Sequence, residues 1–334
     1  MNFLQIGLGS MGKRRIRCLK KLGYENIMGF DKREDRRKEA EEKHQIKTFA
    51  NFDHMDFGDI EVMIISTPPD YHNIYIEKAI DLGIPCFVEV NVILGNLIEL
   101  NDLARKKNVL VAPSCTARFH PGIKDIKRIV DTGIYGKITN FSYHCGQYLP
   151  DWHPWESVMD YYVGQKQTGG CRELVSFEMA WLVDAIGFPE RVRAFHGKTM
   201  NVGADIDDTY SMTVELAGGA KGCIMIDVVA RYALRNLILN MEFGQILWRW
   251  DENIVKLYEA GSQRWIHHYY AQGQAAEGYN KNIIEDMYVE ELKTFIDSAL
   301  GKAIWPHALE EDIKILRLLE KIEASDEFAG SALI

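Results

Sequence analysis

The chain has no Cys-x-x-Cys pair. Its six cysteines (Cys18, Cys86, Cys115, Cys145, Cys171 and Cys223) are widely separated. This spacing argues against a zinc ribbon or a dithiol redox motif and reads as reduced, mostly structural thiols of a cytoplasmic protein. Metal-ligand spacing is absent as well, and no metal is expected. His267 and His268 are adjacent, so on a strand they would point to opposite faces and could not easily share one ion. No apolar run approaches the length of a membrane span. Positive charge is in deficit, with 39 Lys and Arg against 48 Asp and Glu and a net charge of −9. That balance gives no general attraction to nucleic acid or to an anionic membrane. The basic runs at 13–17 and 32–38 read as solvated helix faces. No internal repeat or low-complexity linker is visible. The first apolar segment starts at residue 2 or 3, so no targeting segment is expected ahead of it.

What is present suggests an ordinary two-domain globular chain, with 334 residues, 47% hydrophobic and 26% charged. The most informative stretch is residues 2–31. A short apolar strand over 2–7 runs into Gly7-Leu8-Gly9-Ser10-Met11-Gly12, then a basic helical stretch, then a second strand over 26–30 that stops at Asp31. That order suits a dinucleotide. Gly7 permits the tight turn, Gly9 lets backbone amides approach a pyrophosphate, and Gly12 lets the helix pack close to the sheet. The amides of Ser10 and Met11 open the helix toward the anion. Asp31 is placed to accept hydrogen bonds from the adenosine ribose, which favours NAD over NADP. The neighbouring Lys32 and Arg33 leave NADP open, since either could pair with a 2′-phosphate.

Strand and helix alternate through about residue 115, with strands at 61–66, 85–90 and 109–112 and helices at 71–82 and 96–107. Strands apolar throughout and separated by helices indicate a parallel sheet covered on both faces. The pattern then changes. After a helix at 123–131 come strand-like segments at 137–147, 191–198, 209–216, 221–230, 236–243 and 245–250. Gly218-Gly219 marks a hairpin. One helix, 171–186, interrupts them, and helices at 286–300 and 309–325 close the chain. The expected fold is α/β: a Rossmann domain over 1–118, then an α+β domain over 119–334 with a large, mostly antiparallel, open-faced sheet. The last helix is expected to pack back on the Rossmann domain. Trp248, Trp250 and Trp265 in the outer strands suggest a subunit interface, hence a homodimer or homotetramer.

Several motifs now line up: Gly7–Gly12, Ser66-Thr67-Pro68 with His72, Phe87-Val88-Glu89, Arg118-Phe119-His120-Pro121, Gly169-Gly170, and the helix around 288–296. In this order they resemble the Gfo/Idh/MocA family of oxidoreductases over essentially the whole chain. The resemblance implies a nicotinamide cofactor and a sugar, sugar acid, nucleotide sugar or cyclitol as substrate. It also implies cofactor contacts from Ser66, Thr67, Pro68, His72 and Glu89, and Asn91 is a candidate to bond the nicotinamide amide or a substrate hydroxyl. Two family positions depart. Where the family reads Glu-Lys-Pro, this chain reads Glu89-Val90-Asn91. Where many members carry a histidine after the double glycine, alignment places Phe177, or Glu178 with a shift of one residue.

Hydride transfer from a carbinol needs a group to take the hydroxyl proton, and neither Val90 nor Phe177 can do so. The first alternative lies in Tyr148–Glu156, a segment dense in Pro and Trp. There His153 titrates near neutrality, and Trp152 and Trp155 form a platform for a sugar ring. The competing interpretation is that the tryptophans anchor a core and His153 caps a turn. Glu178, nearest the family's histidine in register, is the second choice for acid/base work. Arg118 and Arg172 are candidate clamps for anionic substrate groups, and His120 is either a substrate contact or a helix-entry residue. Two other functions remain open: a cofactor-binding sensor or scaffold without turnover, or a lyase, epimerase or glycoside-cleaving cycle that uses bound NAD transiently.

Overall fold

The structure, a computed structural model, describes residues 1–271 and 284–328, with side chains described through residue 325 at that end. The chain divides into two compact units. One comprises residues 1–116 and 286–314, the other residues 117–285 and 315–334.

The first unit is built on six short apolar strands: β1 (Phe3–Ile6), β2 (Ile27–Phe30), β3 (Lys47–Phe49), β4 (Val62–Ile65), β5 (Cys86–Val88) and β6 (Val111–Pro113). They pair in parallel in the order β3-β2-β1-β4-β5-β6, so the strand order reverses between β1 and β4. In doubly wound sheets that reversal is where ligands bind, beyond the carboxyl ends of the strands. The strands β1 and β4 are buried at every position, as a sheet covered on both faces requires. Four helices connect the strands: α1 (Ser10–Lys21), α2 (Glu34–His44), α3 (His72–Leu82) and α4 (Leu97–Lys107). The edge strand β3 is short and half polar, and its residues give no strand pattern on their own.

The helix α7 (Glu285–Ala299) places Glu291 inside this first unit. Glu291 is wholly buried and accepts hydrogen bonds from Ser114 Oγ, the Cys115 amide and Thr116 Oγ1 at 2.7–3.0 Å. It also pairs with Arg15 of α1 at 2.8 Å. Arg15 in turn grips Glu89, at the end of β5, with Nε and Nη2 at 2.6 and 2.9 Å. Three elements far apart in sequence are thus tied by one buried guanidinium. Burial alone would lower the pKa of Arg15, but the flanking Glu89 and Glu291 charges raise it, so it stays charged.

The second unit carries an eight-stranded sheet in the order β14-β13-β12-β11-β7-β10-β9-β8. Its strands are β7 (Ile138–Tyr148), β8 (Pro189–Gly197), β9 (Thr209–Leu216), β10 (Lys221–Asp227), β11 (Val229–Met241), β12 (Gly244–Arg249), β13 (Ile254–Glu259) and β14 (Arg264–Tyr269). All pairings are antiparallel except β7 with β10. Gly218 and Gly219 both have positive φ and form the β9–β10 turn, as the residue pair predicts. The strands β13 and β14 lengthen the sheet beyond the six expected from alternation. Helices α5 (Pro121–Asp131) and α6 (Gly170–Ala185) also belong to this unit. The last helix, α8 (Leu309–Phe328), begins in the first unit and continues in the second.

Side chains alternate between the two faces in the central strands of the large sheet. Phe141, Tyr143, Cys145, Leu237 and Leu239 are buried, while Met225 and Ile238 on the opposite face are exposed. Trp248 and Trp250 fall among the buried side chains, against His120 and Trp181 of their own unit, which corrects their expected role in a subunit interface. Of the three tryptophans, Trp265 is exposed. Among the described residues no helix is long and apolar enough to cross a membrane, and no group of three His, Cys, Asp or Glu could hold a metal ion.

Candidate functional site

The glycine turn after β1 has little spare room. Gly7 has φ +86°, and a Cβ there would lie 2.4 Å from the Ser66 carbonyl oxygen. A Cβ on Gly12 would lie 1.9 Å from the Gly7 carbonyl oxygen. Gly9 is the N-cap of α1, and no side chain caps the helix or places a negative charge in its first turn. A helix start with no side-chain cap and no acidic residue, at the switch point of a parallel sheet, is suited to a diphosphate. Asp31, buried at the end of β2, accepts from the Leu8 amide at 2.8 Å and from the Arg33 amide at 2.9 Å, which ties β2 to the turn. The Thr67 hydroxyl, just past β4, is buried without a hydrogen-bond partner. An orphaned polar group beside a cradle that only glycine can form fits a dinucleotide. Gly7, Gly9, Ser10, Met11 and Gly12 would hold its diphosphate, Asp31 its adenosine ribose, and the Thr67–Pro68 segment its far half.

The other residues expected at the cofactor brace that cradle. Ser66 donates to Glu89 at 3.2 Å. His72, buried at the start of α3, bridges the Thr67 carbonyl at 2.9 Å and Asn91 Oδ1 at 2.8 Å. Asn91 donates onward to Asp312 at 2.8 Å. Burial pushes His72 below the ordinary imidazole range, against the raising effect of those hydrogen bonds and of Glu89 and Asp312. Lys32 lies over the Tyr71 ring, and Arg33 pairs with Asp35.

In the second unit the expected residues part company. His153 Nδ1 meets Glu156 Oε1 at 2.6 Å. A carboxylate there can only accept, so Nδ1 carries the proton and Nε2 is the basic nitrogen of the neutral ring. The imidazole stacks on Trp155 at 4.9 Å and on Tyr161 at 4.6 Å. Burial, with Glu156 and Glu173 nearby, pushes the Tyr161 phenol up, so it stays protonated. The Tyr161 hydroxyl and the Trp152 indole nitrogen are both buried without partners.

Glu178 lies elsewhere, fully buried beneath the large sheet. Its carboxylate accepts from Tyr143 Oη (2.6 Å), Trp181 Nε1 (2.7 Å), Arg235 Nε (2.8 Å) and Cys145 Sγ (3.4 Å). Phe177, beside it, lies 5.9 Å from the Arg235 guanidinium. Arg118 donates to the Ala180 carbonyl at 2.8 Å and faces Asp184 at 3.6 Å, along an open groove of about 480 Å³ shared with Lys124 and Lys127. Arg172 grips Glu323 of α8 with two nitrogens, at 2.6 and 3.2 Å. His120 caps α5, its Nδ1 accepting from the Gly122 amide at 3.1 Å, while its ring stacks on Trp250 at 4.3 Å. The geometry therefore gives Arg118 and Arg172 partners within the fold, and gives His120 one at Nδ1, while His120 Nε2 is buried without a hydrogen-bond partner.

Two predictions follow from these buried groups. Removing one member of a buried ion pair strands the other, at a cost of about 3–5 kcal/mol, whereas replacing both by apolar groups is far milder. Glu178→Ala should lower the unfolding free energy by that order, and the pair Glu178→Leu with Arg235→Met should recover most of it. A Glu178→Ala chain as stable in urea as the parent would contradict this role. The second concerns His120. Burial first, then the Arg235 and Lys124 charges, push its pKa down to about 3. The unfolded imidazole titrates near about 6.5, so the unfolded chain takes up the extra proton between those values. Stability is therefore full above about pH 6.5 and lost as pH falls, by about 2 kcal/mol at pH 5 for this group. His120→Asn keeps a capping acceptor and should remove that part of the acid loss. Identical urea midpoints against pH for both chains would exclude it.

Comparison with known proteins agrees with this geometry. Residues 1–114 match the model of an oxidoreductase family with an NAD-binding Rossmann fold, and residues 123–246 match the GFO/IDH/MocA C-terminal domain. A relative from Escherichia coli (strain K12), named uncharacterized oxidoreductase YhhX, is 26% identical over 154 residues, 46% of this chain and 42% of its own length. Uncharacterized oxidoreductase C26H5.09c of Schizosaccharomyces pombe is 26% identical over 106 residues, 31% of this chain and 29% of its own. The matches thus span less than half the length of these curated relatives. Among solved structures, levoglucosan dehydrogenase in complex with NADH superposes with a TM-score of 0.83 at 17% identity, covering 98% of this chain and 97% of that one. An oxidoreductase from Agrobacterium radiobacter in complex with NAD+, L-tartaric acid and magnesium gives 0.84 at 12% identity, covering 98% and 96%. With both halves matched in order, the chain belongs to the Gfo/Idh/MocA family of NAD-binding oxidoreductases.

Proposed function

We propose that the chain is a nicotinamide-dependent dehydrogenase or reductase acting on a hydroxyl or carbonyl of a sugar, sugar acid or nucleotide sugar, with His153 as its proton carrier. One observation carries the reading: His153 is held by Glu156 between two aromatic rings, beside two buried donors, Trp152 and Tyr161, that lack partners. Unsatisfied buried donors are costly in a finished fold and suit a polar ligand. Aromatic faces beside them suit the apolar face of a sugar ring. Nicotinamide, when bound, supplies the hydride acceptor or donor. The residues supply the rest. Glu156 fixes the imidazole with Nδ1 protonated and stabilises the imidazolium, and Nε2 takes or returns the hydroxyl proton. Glu178 is in this account a positioning residue, since all its bonding goes to Tyr143, Trp181, Arg235 and Cys145. The substrate class draws support from the levoglucosan dehydrogenase structures, one of which is a complex with NADH and levoglucosan.

A second reading has a specific observation behind it. With Val90 and Phe177 at the family's usual proton-transfer positions and Glu178 fully engaged, the chain binds the cofactor without turnover. Absorbance at 340 nm with a panel of sugars, sugar acids and nucleotide sugars separates the two. We expect turnover with at least one panel member. His153→Ala should reduce kcat by about 10²–10⁴-fold, with NAD affinity unchanged. Unchanged turnover would remove His153, and tight NAD binding with a silent panel would favour the second reading.

The large sheet suggests self-association. Its outer face exposes Phe195, Met225, Ile238 and Trp265 among polar neighbours, and a second copy of the chain could cover it as a dimer or tetramer. Sedimentation velocity at micromolar concentration should give at least twice the single-chain mass; a single-chain mass would dismiss this arrangement.

A further inference from the structure

We propose that the grip of the cradle on its dinucleotide is linked to a proton on His72: Asp312, acting through Asn91, leaves the neutral imidazole one donor short. This rests on the cofactor reading above. All the side chains involved belong to the first unit. His72, at the start of α3, is 1% exposed, and so is Asn91, just past β5. His72 Nε2 lies 2.9 Å from the Thr67 carbonyl oxygen, and Nδ1 lies 2.8 Å from Asn91 Oδ1. Asn91 in turn donates from Nδ2 to Asp312 Oδ2 at 2.8 Å, and His307 Nε2 lies 3.3 Å from Asp312 Oδ1. Asn91 stands where the family reads proline, whose side chain could make neither contact.

The ring is short of a proton. A carbonyl oxygen only accepts, so Nε2 must carry a proton to bond Thr67. Asn91 Oδ1 only accepts, so Nδ1 must carry one too. A neutral imidazole has a single N–H. Asn91 cannot correct this by turning its amide, since its oxygen would then face the Asp312 carboxylate, which accepts from both Asn91 and His307. A neutral His72 therefore leaves lone pairs opposed, at 2.8 Å against Asn91 or at 2.9 Å against Thr67, whereas the imidazolium satisfies both.

The charged groups that face the ring are Glu89, at the end of β5, and Asp312, on α8. Both favour the imidazolium, while burial opposes it and prevails. Glu89 is held by Arg15, and Asp312 is flanked by His307 and, beyond it, Glu311. The ring is accordingly neutral at pH 7 and takes its second proton below the ordinary imidazole range. The residue that feels the difference is Thr67. Its hydroxyl is buried without a partner beside the glycine turn, and its carbonyl is the one His72 braces. The segment that would hold the far half of the dinucleotide is thus firmly braced with His72 protonated and less so with it neutral. Asn91 and Asp312 act here as positioning residues.

Calorimetric titration of NAD+ into the full-length chain and its Asp312→Asn variant, between about pH 5 and about pH 8, tests this. An amide at 312 can accept from His307 and donate to Asn91 Oδ1. That frees Asn91 Nδ2 for His72 Nδ1 and lets a neutral ring donate to Thr67. The parent should bind NAD+ about fivefold more tightly at the acid end, the worth of one hydrogen bond. Asp312→Asn should bind it equally at both ends, as tightly as the parent does in acid. NMR of the imidazole nitrogens gives a readout that needs no variant: saturating NAD+ should raise the His72 titration midpoint in the parent, as linkage requires. A parent affinity that does not rise toward acid, the same rise in Asp312→Asn, or a His72 midpoint unmoved by NAD+ would each overturn the assignment. Those results leave NAD+ binding to the parent intact, whereas failure of the cofactor reading itself would show as a parent chain that binds no NAD+ at any pH.

Discussion

The turn between β1 and α1 constrains the rest of the first unit. Gly12 sits where even a methyl group would collide with the Gly7 carbonyl, and Gly7 is pressed against the backbone of Ser66. Helix α1 therefore starts hard against the carboxyl ends of β1 and β4, with its first turn uncapped. No side chain caps that start, and a helix N-terminus without a side-chain cap suits an anionic ligand. Asp31 then closes the turn from the neighbouring strand. The cradle is thus set by backbone packing, with Asp31 held at its rim by the Leu8 and Arg33 amides.

Two buried charge networks do the corresponding structural work, one in each unit. In the first, Arg15 binds α1, β5 and α7 through Glu89 and Glu291. In the second, Glu178 joins α6 to strands β7 and β11 through Tyr143, Cys145 and Arg235. Buried pairs of this kind contribute modestly to net stability and strongly to a unique arrangement. Their presence explains why several charged residues that look functional in sequence are spoken for. The His153–Glu156 pair differs. Both side chains are about one-fifth exposed, and the pair sits among donors the fold leaves unpaired.

The fold was legible because its signals are local. Wholly apolar strands, the glycine spacing and the Gly218-Gly219 turn each report on neighbours in sequence, and both sheets follow from them. Most boundaries shifted by a residue or two, but β11 begins at Val229 rather than at 236, taking the end of the strand expected over 221–230, and β3, β13 and β14 were invisible because short, half-polar strands carry too little periodicity. The site was less legible, for a physical reason. Whether an arginine is a clamp or a brace depends on partners remote in sequence: Glu323 for Arg172, and Ala180 and Asp184 for Arg118. The Glu156 partner of His153, three residues on, was within reach of sequence reasoning as a local pair.

The start of α1 is the proposed seat of the dinucleotide's diphosphate. Backbone amide NMR of the isotopically labelled chain, titrated with NAD+, tests it most directly. The amides of Gly9, Ser10, Met11 and Gly12 should shift together and saturate at one equivalent per chain. No shift in those four amides at saturating NAD+, or saturable shifts confined to other parts of the chain, would contradict it.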